Sequence, residues 1–326
     1  MATCKLTLGY LYPDIMSAYG DRGNIAVLMR RCGWRGIVAK VHELRLGDPV
    51  HPDDVDIFVI GNGGESQQRL IAPDLADVKG LAIREAVDQG AALLAVGAGY
   101  ELLGRFYQPS QGVELPGAGL FDAWTIQHGA GLAAASRTIT EARADRAIGD
   151  LVVQWGGASP GGTTPQDPPA CHPLGPAARP SQLASLRDGA CEGQPPGDEL
   201  LVGFENHSAR TYLGPTARAL GQVITGQGNN GDGCEGVRLG AAVGTYLRGP
   251  CLPRNPALAD FLIRAALARR YGQDELEPLT DDLERAAHDT AVRRIAAAAR
   301  AGSRPRLGRI GTRLGRVRIP AGFPPA

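Results

Sequence analysis

The chain has 326 residues, of which 43% are hydrophobic and 21% are charged, and its 34 basic residues balance its 34 acidic ones. This length and apolar fraction predict one large or two small folded domains and exclude a wholly disordered chain. A net charge of zero argues against binding nucleic acid through a general basic field. Because the sequence shows neither a signal peptide nor a run of 18 apolar residues, the expected location is the cytoplasm.

The first hundred residues alternate predicted strands with predicted helices. Such alternation indicates an α/β fold built on a parallel, doubly wound sheet. Several of the apolar strands end in glycine turns, which places a candidate site at their carboxyl ends. The predicted strands are 5–12, 37–44, 56–60 and 91–96, and the predicted helices are 25–32, 78–89 and a further stretch through 101–107.

The middle of the chain contains short β-type segments interrupted by a stretch rich in proline and glycine. Residues 156–198 hold nine prolines and eight glycines without periodicity, which predicts a disordered surface insertion. The segment contains Cys171, His172 and Cys191, but no cysteine pair has the CxxC spacing of a zinc site, so we expect no metal.

The carboxyl-terminal part is predicted to be helical and then basic. Amphipathic patterns predict helices over 255–271 and 280–301. Residues 302–326 contain six arginines and no acidic residue. The simplest interpretation is a flexible tail, and the alternative is an arm that contacts an acidic partner or an anionic surface.

Two glycine turns could hold a reactive site. The first, Gly97-Ala98-Gly99-Tyr100, joins a strand to a helix and has the shape of a nucleophile elbow. A catalytic elbow needs serine or cysteine at its apex, and neither Gly97 nor Ala98 can attack a substrate. The second turn, 61–65, could form an oxyanion hole, a phosphate loop or a plain βα connection. No GK[ST] follows it, so a Walker motif is excluded.

A polar cluster surrounds His207, which follows Glu205 and Asn206 at the end of a β segment. A hydrogen-bonded structural histidine is the favoured interpretation, and a functional one is the alternative. Residues 228–233, which include Asn229, are predicted to form a hairpin tip.

Further motifs accompany these along the chain, among them Tyr12-Pro13-Asp14, 19–24, Arg210-Thr211-Tyr212 and 244–250. Taken in order, the motifs resemble the CobB/CobQ-like class I glutamine amidotransferases, and within them the GatD-like subunits of lipid II isoglutaminyl synthase. The resemblance covers about residues 5–272 apart from the insertion. It implies a flavodoxin-like fold with a mixed, mainly parallel sheet flanked by helices, no cofactor, glutamine as ligand and a heterodimer with a MurT-like Mur-ligase subunit. The motifs are Tyr12-Pro13-Asp14, 19–24, 61–68, Gly99-Tyr100, 203–207, Arg210-Thr211-Tyr212, Gly228-Asn229-Asn230 and 244–250.

The resemblance also implies a reaction. In the family, a cysteine at the elbow attacks the side-chain amide of glutamine and forms a thioester, while a histidine shuttles protons. The released ammonia passes to the ligase subunit, which uses ATP to amidate the D-glutamate of the peptidoglycan stem peptide.

Carried over position by position, the resemblance indicates that both catalytic side chains are absent. Gly97 stands where the family has its nucleophilic cysteine, and Arg248 stands where it has its histidine. Arg146 corresponds to a substrate-contacting arginine. The remaining substrate-binding candidates are Gly61, Asn62, Gly63 and Tyr100, and the other motif candidates are His207, Asn206 and Asn229.

Three hypotheses follow. The favoured one is a GatD-like subunit whose glutaminase half is inactive and which acts as a structural or regulatory partner of a ligase that uses free ammonia. The second is an active amidotransferase with relocated chemistry through Cys251 or His207. The third is a module that binds a glutamine-like ligand and has no ligase partner. The expected domains are an amidotransferase domain over 1–272, a carboxyl-terminal helix over 273–301 and the tail over 302–326.

Overall fold

The computed structural model describes residues 4–127, 146–156 and 200–300. The predicted insertion therefore lies almost wholly outside the described residues, and the basic tail lies wholly outside them. The strands are β1 Lys5–Leu11, β2 Val38–Leu44, β3 Ile57–Ile60, β4 Ala92–Val96, β5 Phe106–Gln108, β6 Leu115–Pro116, β7 Ala123–Gln127, β8 Ala147–Trp155, β9 Leu200–His207, β10 Ala209–Leu213, β11 Gly221–Thr225, β12 Cys234–Glu235, β13 Val237–Leu239 and β14 Ala242–Thr245. The α-helices are α1 Arg22–Trp34, α2 Glu65–Pro73, α3 Gly80–Asp88, α4 Ala98–Leu102, α5 Pro256–Tyr271 and α6 Asp282–Arg300.

The largest sheet among the described residues is central to the fold. Its six strands run in the order β13-β14-β4-β3-β1-β2, and all neighbours are parallel except β13 and β14. The apolar runs of β3 and β4 are fully buried, as expected for inner strands covered on both faces. Helix α5 packs against β3, β4 and α1. The predicted α/β class, with a mixed and mainly parallel sheet flanked by helices, is confirmed.

Two further sheets of four strands each lie outside the central sheet. Their orders are β10-β7-β5-β6 and β12-β11-β8-β9, and every pair except β5 with β7 is antiparallel. The longest pairing joins β8 to β9, from Ala147 opposite His207 to Gln154 opposite Leu200. A bridge between Phe204 and Arg248 then connects β9 to the segment that follows β14. This connection brings the antiparallel part of the chain to the edge of the central sheet.

Three helical predictions need correction. The helix expected over 78–89 is the second half of a helical run that begins at Glu65 and passes through a π-helical stretch at Asp74–Lys79. The helical stretch expected through 101–107 ends at Leu102, and Phe106–Gln108 instead pairs with β6 and β7. The terminal helix begins at Asp282, because residues 273–281 have no regular structure. No helix in the described ranges is both long and apolar enough to span a membrane.

Candidate functional site

The candidate site lies at the carboxyl edge of the central sheet, where the turns after β3, β4 and β14 meet. The N–H of Gly97 donates to the carbonyl of Thr245 over 2.9 Å, and the N–H of Gly99 donates to the carbonyl of Gly61 over 3.2 Å. These bonds hold the elbow between the other two turns. Parallel pairing brings the strand ends to one edge, which is why residues far apart in sequence converge here.

Gly97 has the strained backbone of an elbow apex, with φ +56° and ψ −117°. A side chain at this position would meet two others, since an added Cβ would collide with Oδ1 of Asn62 and would lie 2.9 Å from Nη2 of Arg248. The volume that a nucleophilic side chain would need is therefore occupied by two other side chains.

Asn62 also bonds the backbone of the elbow. Its Oδ1 accepts the N–H of Ala98 over 2.8 Å, and its own N–H donates to Oδ2 of Asp21 over 2.8 Å. In nucleophile elbows the N–H after the apex is a donor to the oxyanion. Here that donor is already bonded inside the protein.

The glycines of the 61–65 turn allow close packing. A Cβ at Gly61 would collide with the carbonyl oxygen of Met16, and a Cβ at Gly63 would lie 2.6 Å from the Met16 sulfur. The N–H of Gly64 donates to Oε1 of Gln67 over 3.1 Å at the start of α2. The turn therefore packs against the segment after β1.

Arg248 brings a buried positive charge to the elbow. Only 6% of the residue is exposed, and its N–H donates to the carbonyl of Phe204 over 2.9 Å. Its guanidinium lies over the ring of Tyr19 at 5.4 Å from the centroid, and its buried Nε has no hydrogen-bond partner. Burial raises the pKa of the nearby Asp21 to about 6, although the Asn62 N–H and the Arg248 charge both favour the carboxylate.

Arg146 and Asn206 are connected to this arginine through Tyr19. Nε of Arg146 donates to Oδ1 of Asn206 over 2.6 Å, and Nδ2 of Asn206 donates to the Tyr19 hydroxyl over 3.2 Å. Tyr19 is 47% exposed and has a positive φ of 60°. Arg146 and Arg248 are therefore the two ends of a series of contacts that runs through Asn206 and Tyr19.

His207 is packed in the interior. Its Nδ1 donates to the carbonyl of Ala209 over 2.8 Å, and its ring stacks on Tyr246 with centroids 3.8 Å apart. Its Nε2 lies 3.5 Å from Oε2 of Glu205 and has no hydrogen-bond partner. These contacts are those of a structural histidine.

Tyr100 and Asn229 lie behind the elbow. The Tyr100 hydroxyl donates to Oδ1 of Asn229 over 3.2 Å, while the Asn229 amide also bonds the N–H and the carbonyl of Gly236 at 2.9 Å each. Both residues are buried, and they connect α4 to the turn before β12.

Sequence reasoning missed several residues of the site. Tyr19 and Asp21 are two of them, and the only available signal was their place in the 19–24 motif. Glu101 is a third, and its carboxylate accepts hydrogen bonds from Nε2 of Gln68 over 2.6 Å and from the Tyr246 hydroxyl over 3.1 Å.

None of the three free cysteines among the described residues stands at the apex. Cys251 is fully buried, and burial raises the pKa of its thiol to about 12. Burial likewise raises the pKa of Cys32 on α1 to about 12. Cys4 precedes β1, at the opposite end of that strand from the site.

Comparison with known proteins identifies the family. The CobB/CobQ-like glutamine amidotransferase domain matches residues 7–148 and 179–256, which is more than half of the chain. The chain belongs to this family. It is 30% identical over 267 residues to the Staphylococcus aureus subunit GatD of lipid II isoglutaminyl synthase (glutamine-hydrolyzing), covering 82% of this chain and 86% of that one.

Two other proteins are similar. The Streptococcus pneumoniae subunit GatD of the same synthase is 29% identical over 280 residues, covering 86% of this chain and 87% of that one. A solved structure of PurLQS from Thermotoga maritima shares 13% identity with a TM-score of 0.44, covering 82% of this chain and 98% of that one.

Proposed function

We propose that this chain is the GatD-like subunit of a lipid II isoglutaminyl synthase whose glutaminase half is inactive. In this proposal it pairs with a MurT-like Mur-ligase subunit that amidates its acceptor with free ammonia. The similarity to two GatD subunits supports the assignment to that synthase. The observation that carries the inactivity is the occupied apex at Gly97, where Asn62 and Arg248 fill the space of a nucleophile.

Glutamine hydrolysis needs three groups, and none of them is available at the elbow. A thiolate must attack the amide, because an amide is a poor electrophile, and Gly97 has no side chain. A base must accept and return a proton, whereas arginine keeps its proton at neutral pH. An N–H must stabilise the oxyanion, and the N–H of Ala98 is bonded to Asn62. In subtilisin, loss of the nucleophile alone lowers kcat by about 10⁶-fold.

The relocated chemistry has little support from the geometry. Cys251 is fully buried, its thiol is protonated at neutral pH, and Nδ2 of Asn255 lies 3.8 Å from its sulfur. A nucleophile displaced by about 1 Å already loses on the order of 10²-fold in rate. His207 is engaged by Ala209 and Tyr246.

The decisive experiment measures whether the nitrogen transferred to lipid II comes from glutamine or from ammonia. The full-length chain is co-purified with the MurT-like protein and given lipid II, ATP and either glutamine labelled with ¹⁵N at its side-chain amide or ¹⁵N-ammonium chloride. We expect labelled, amidated lipid II from ammonium only, detected by mass spectrometry, and no ammonia release from glutamine. The chain with Cys251→Ala should behave identically.

Three results would contradict the proposal. Transfer of label from glutamine at a rate comparable with ammonium would show an active glutaminase. Loss of that transfer in Cys251→Ala would locate the relocated nucleophile. Failure of the chain to co-purify with a Mur-ligase-like protein would favour a ligand-binding module without a ligase partner.

A further inference from the structure

We propose that Arg248 converts the elbow into a binding site for a small carboxylate, with the chemistry of L-glutamate and not of glutamine. The inference rests on the proposed function, because it treats the site at Gly97 as one that no longer hydrolyses an amide. It goes further in assigning the site a ligand class and a residue that selects it.

The first argument is that Arg248 is buried and that no carboxylate of the described residues lies close enough to form an ion pair with it. The residue is 6% exposed, its Nε is buried with no hydrogen bond, and within the described ranges no carboxylate forms an ion pair with it. Its attraction to Asp21 acts at longer range, and the Tyr19 ring at 5.4 Å offsets part of the lost solvation. A buried cation in this state is stabilised strongly by an incoming anion.

The second argument is orientation. Nη2 of Arg248 lies 2.9 Å from the position of a Cβ on residue 97, so the guanidinium occupies the place where the family's chemistry would occur. The backbone bond to Phe204 and the contact with Tyr19 fix the side chain from both ends. A donor held in place before binding loses little entropy when the ligand arrives.

The third argument is chemical selectivity. A guanidinium presents parallel N–H donors that match the two oxygens of a carboxylate. A carboxamide offers one oxygen, and its NH₂ group would point a donor at a donor. Glutamate and glutamine share the α-carboxylate and differ only in this side-chain group, so the discrimination requires that the side-chain carboxylate faces Arg248. A doubly charged anion such as phosphate is less suitable, because the Asp21 carboxylate lies close enough to interact with Arg248 and would repel two negative charges more strongly than the single charge of a carboxylate.

The test is calorimetric titration of the purified full-length chain with L-glutamate, L-glutamine and sodium phosphate. We expect glutamate to bind at least about tenfold more tightly than glutamine or phosphate, as for one charge-assisted hydrogen-bond pair. Arg248→Gln should weaken glutamate binding by at least about tenfold and leave glutamine binding unchanged. Arg30→Gln, at an exposed position on α1, is the matched control and should bind as the wild type does.

Melting temperatures of the Arg248 variants show whether a loss of binding reflects a loss of folding. Without ligand, Arg248→Gln should melt at or above the wild-type temperature, since it removes an unpaired buried charge. If Arg248→Gln does not fold, Arg248→Lys keeps the charge without the fork and should bind glutamate less tightly than the wild type. Equal affinity for glutamate and glutamine, equal affinity for phosphate, or unchanged glutamate binding in the Arg248 variants would each overturn the inference.

Failure of the inference and failure of the proposed function have different signatures. Ammonia release from glutamine is measured on the same samples. Release together with selective glutamate binding overturns only the proposed inactivity, whereas absence of release together with unselective binding overturns only the carboxylate site.

Discussion

At position 97 the space beside the elbow apex is occupied by neighbouring side chains. The backbone keeps the conformation of an elbow, with φ +56°, but Oδ1 of Asn62 binds the N–H of Ala98 and Nη2 of Arg248 fills the adjacent space. Asn62 in turn is held by Asp21. A side chain introduced at residue 97 would therefore have to displace the ends of the Asn62 and Arg248 side chains.

We predict that Gly97→Cys combined with Arg248→His restores no glutaminase activity. The new Cβ still collides with Asn62, and a non-glycine residue at this φ is strained, so unfolding free energy should fall by about 1–3 kcal/mol. Ammonia release and urea denaturation measure the two effects.

Gly33→Ala is the control for the stability effect. It lies in α1, and an added Cβ meets nothing within 4 Å, so its stability should be unchanged or higher by up to about 1 kcal/mol. Full ammonia release by the double variant would show that Asn62 moves aside easily and that only the two catalytic side chains were missing.

The short strands β12 and β14 enclose a buried acid next to the site. Oε1 of Glu235 accepts the Thr245 hydroxyl over 2.7 Å and the N–H of Tyr246 over 2.6 Å, while Oε2 has no partner. Burial raises the pKa of Glu235 to about 7, against the opposing effect of these hydrogen bonds. The folded protein therefore binds this proton more tightly than the unfolded chain does.

Glu235→Gln should consequently remove the loss of folding stability that ionisation of Glu235 causes as the pH rises. In the wild type, the contribution of Glu235 is present below about pH 4.5 and is lost as the pH rises through about 7. The variant should gain up to about 3 kcal/mol over the wild type between pH 4.5 and 8, measured by urea denaturation at each pH. Glu114→Gln, at an exposed position, should track the wild type. A constant difference between Glu235→Gln and the wild type across this range would refute the shifted pKa.

The inner strands were predictable because their sequences satisfy a simple physical requirement. The runs Ile57–Ile60 and Ala92–Val96 are apolar without interruption, as strands covered on both faces must be. Helix α2 was not recognised because it starts directly at a glycine turn and contains Pro73, which usually ends a helix. Phe106–Gln108 becomes a strand through pairing with Ala123–Gln127, a long-range contact that no local pattern records.

The candidate site was predictable only in part, because its contacts also join residues that are far apart in the sequence. Gly97 and Arg248 were identified because each lies within a motif that remains recognisable in the sequence, although the elbow motif differs from the family's at Ala98 and Glu101 as well. Tyr19 and Asp21 were missed as site residues, since their proximity to Arg248 depends on how a loop after β1 packs against the ends of other strands. Sequence motifs identify positions, whereas the contacts between them follow from the sheet order.

The last helix joins the antiparallel part of the chain to the rest of the molecule. Arg31 on α1 forms paired bonds with Asp260 on α5 and with Asp281 just before α6. Nδ1 of His288 donates to the carbonyl of Arg254 over 2.7 Å. The apolar face of α6 covers β8, β9 and β11 through a separate cluster. Its buried members are Val152, Leu200, Val202, Ile224 and Ile295.

Ile295→Ala should therefore destabilise the protein through this cluster. Ile295 is 3% exposed, and removing its side chain leaves a cavity against Val152 and Val202, at a cost of about 2–5 kcal/mol. Leu283→Ala on the same helix is the matched control, because Leu283 is 83% exposed and should change stability by less than about 0.5 kcal/mol. Urea denaturation measures both. If Ile295→Ala were as stable as Leu283→Ala, the helix would not be part of the cooperative unit. A single transition with the full loss would show instead that α6 and the sheet it covers unfold together with the domain that contains the elbow.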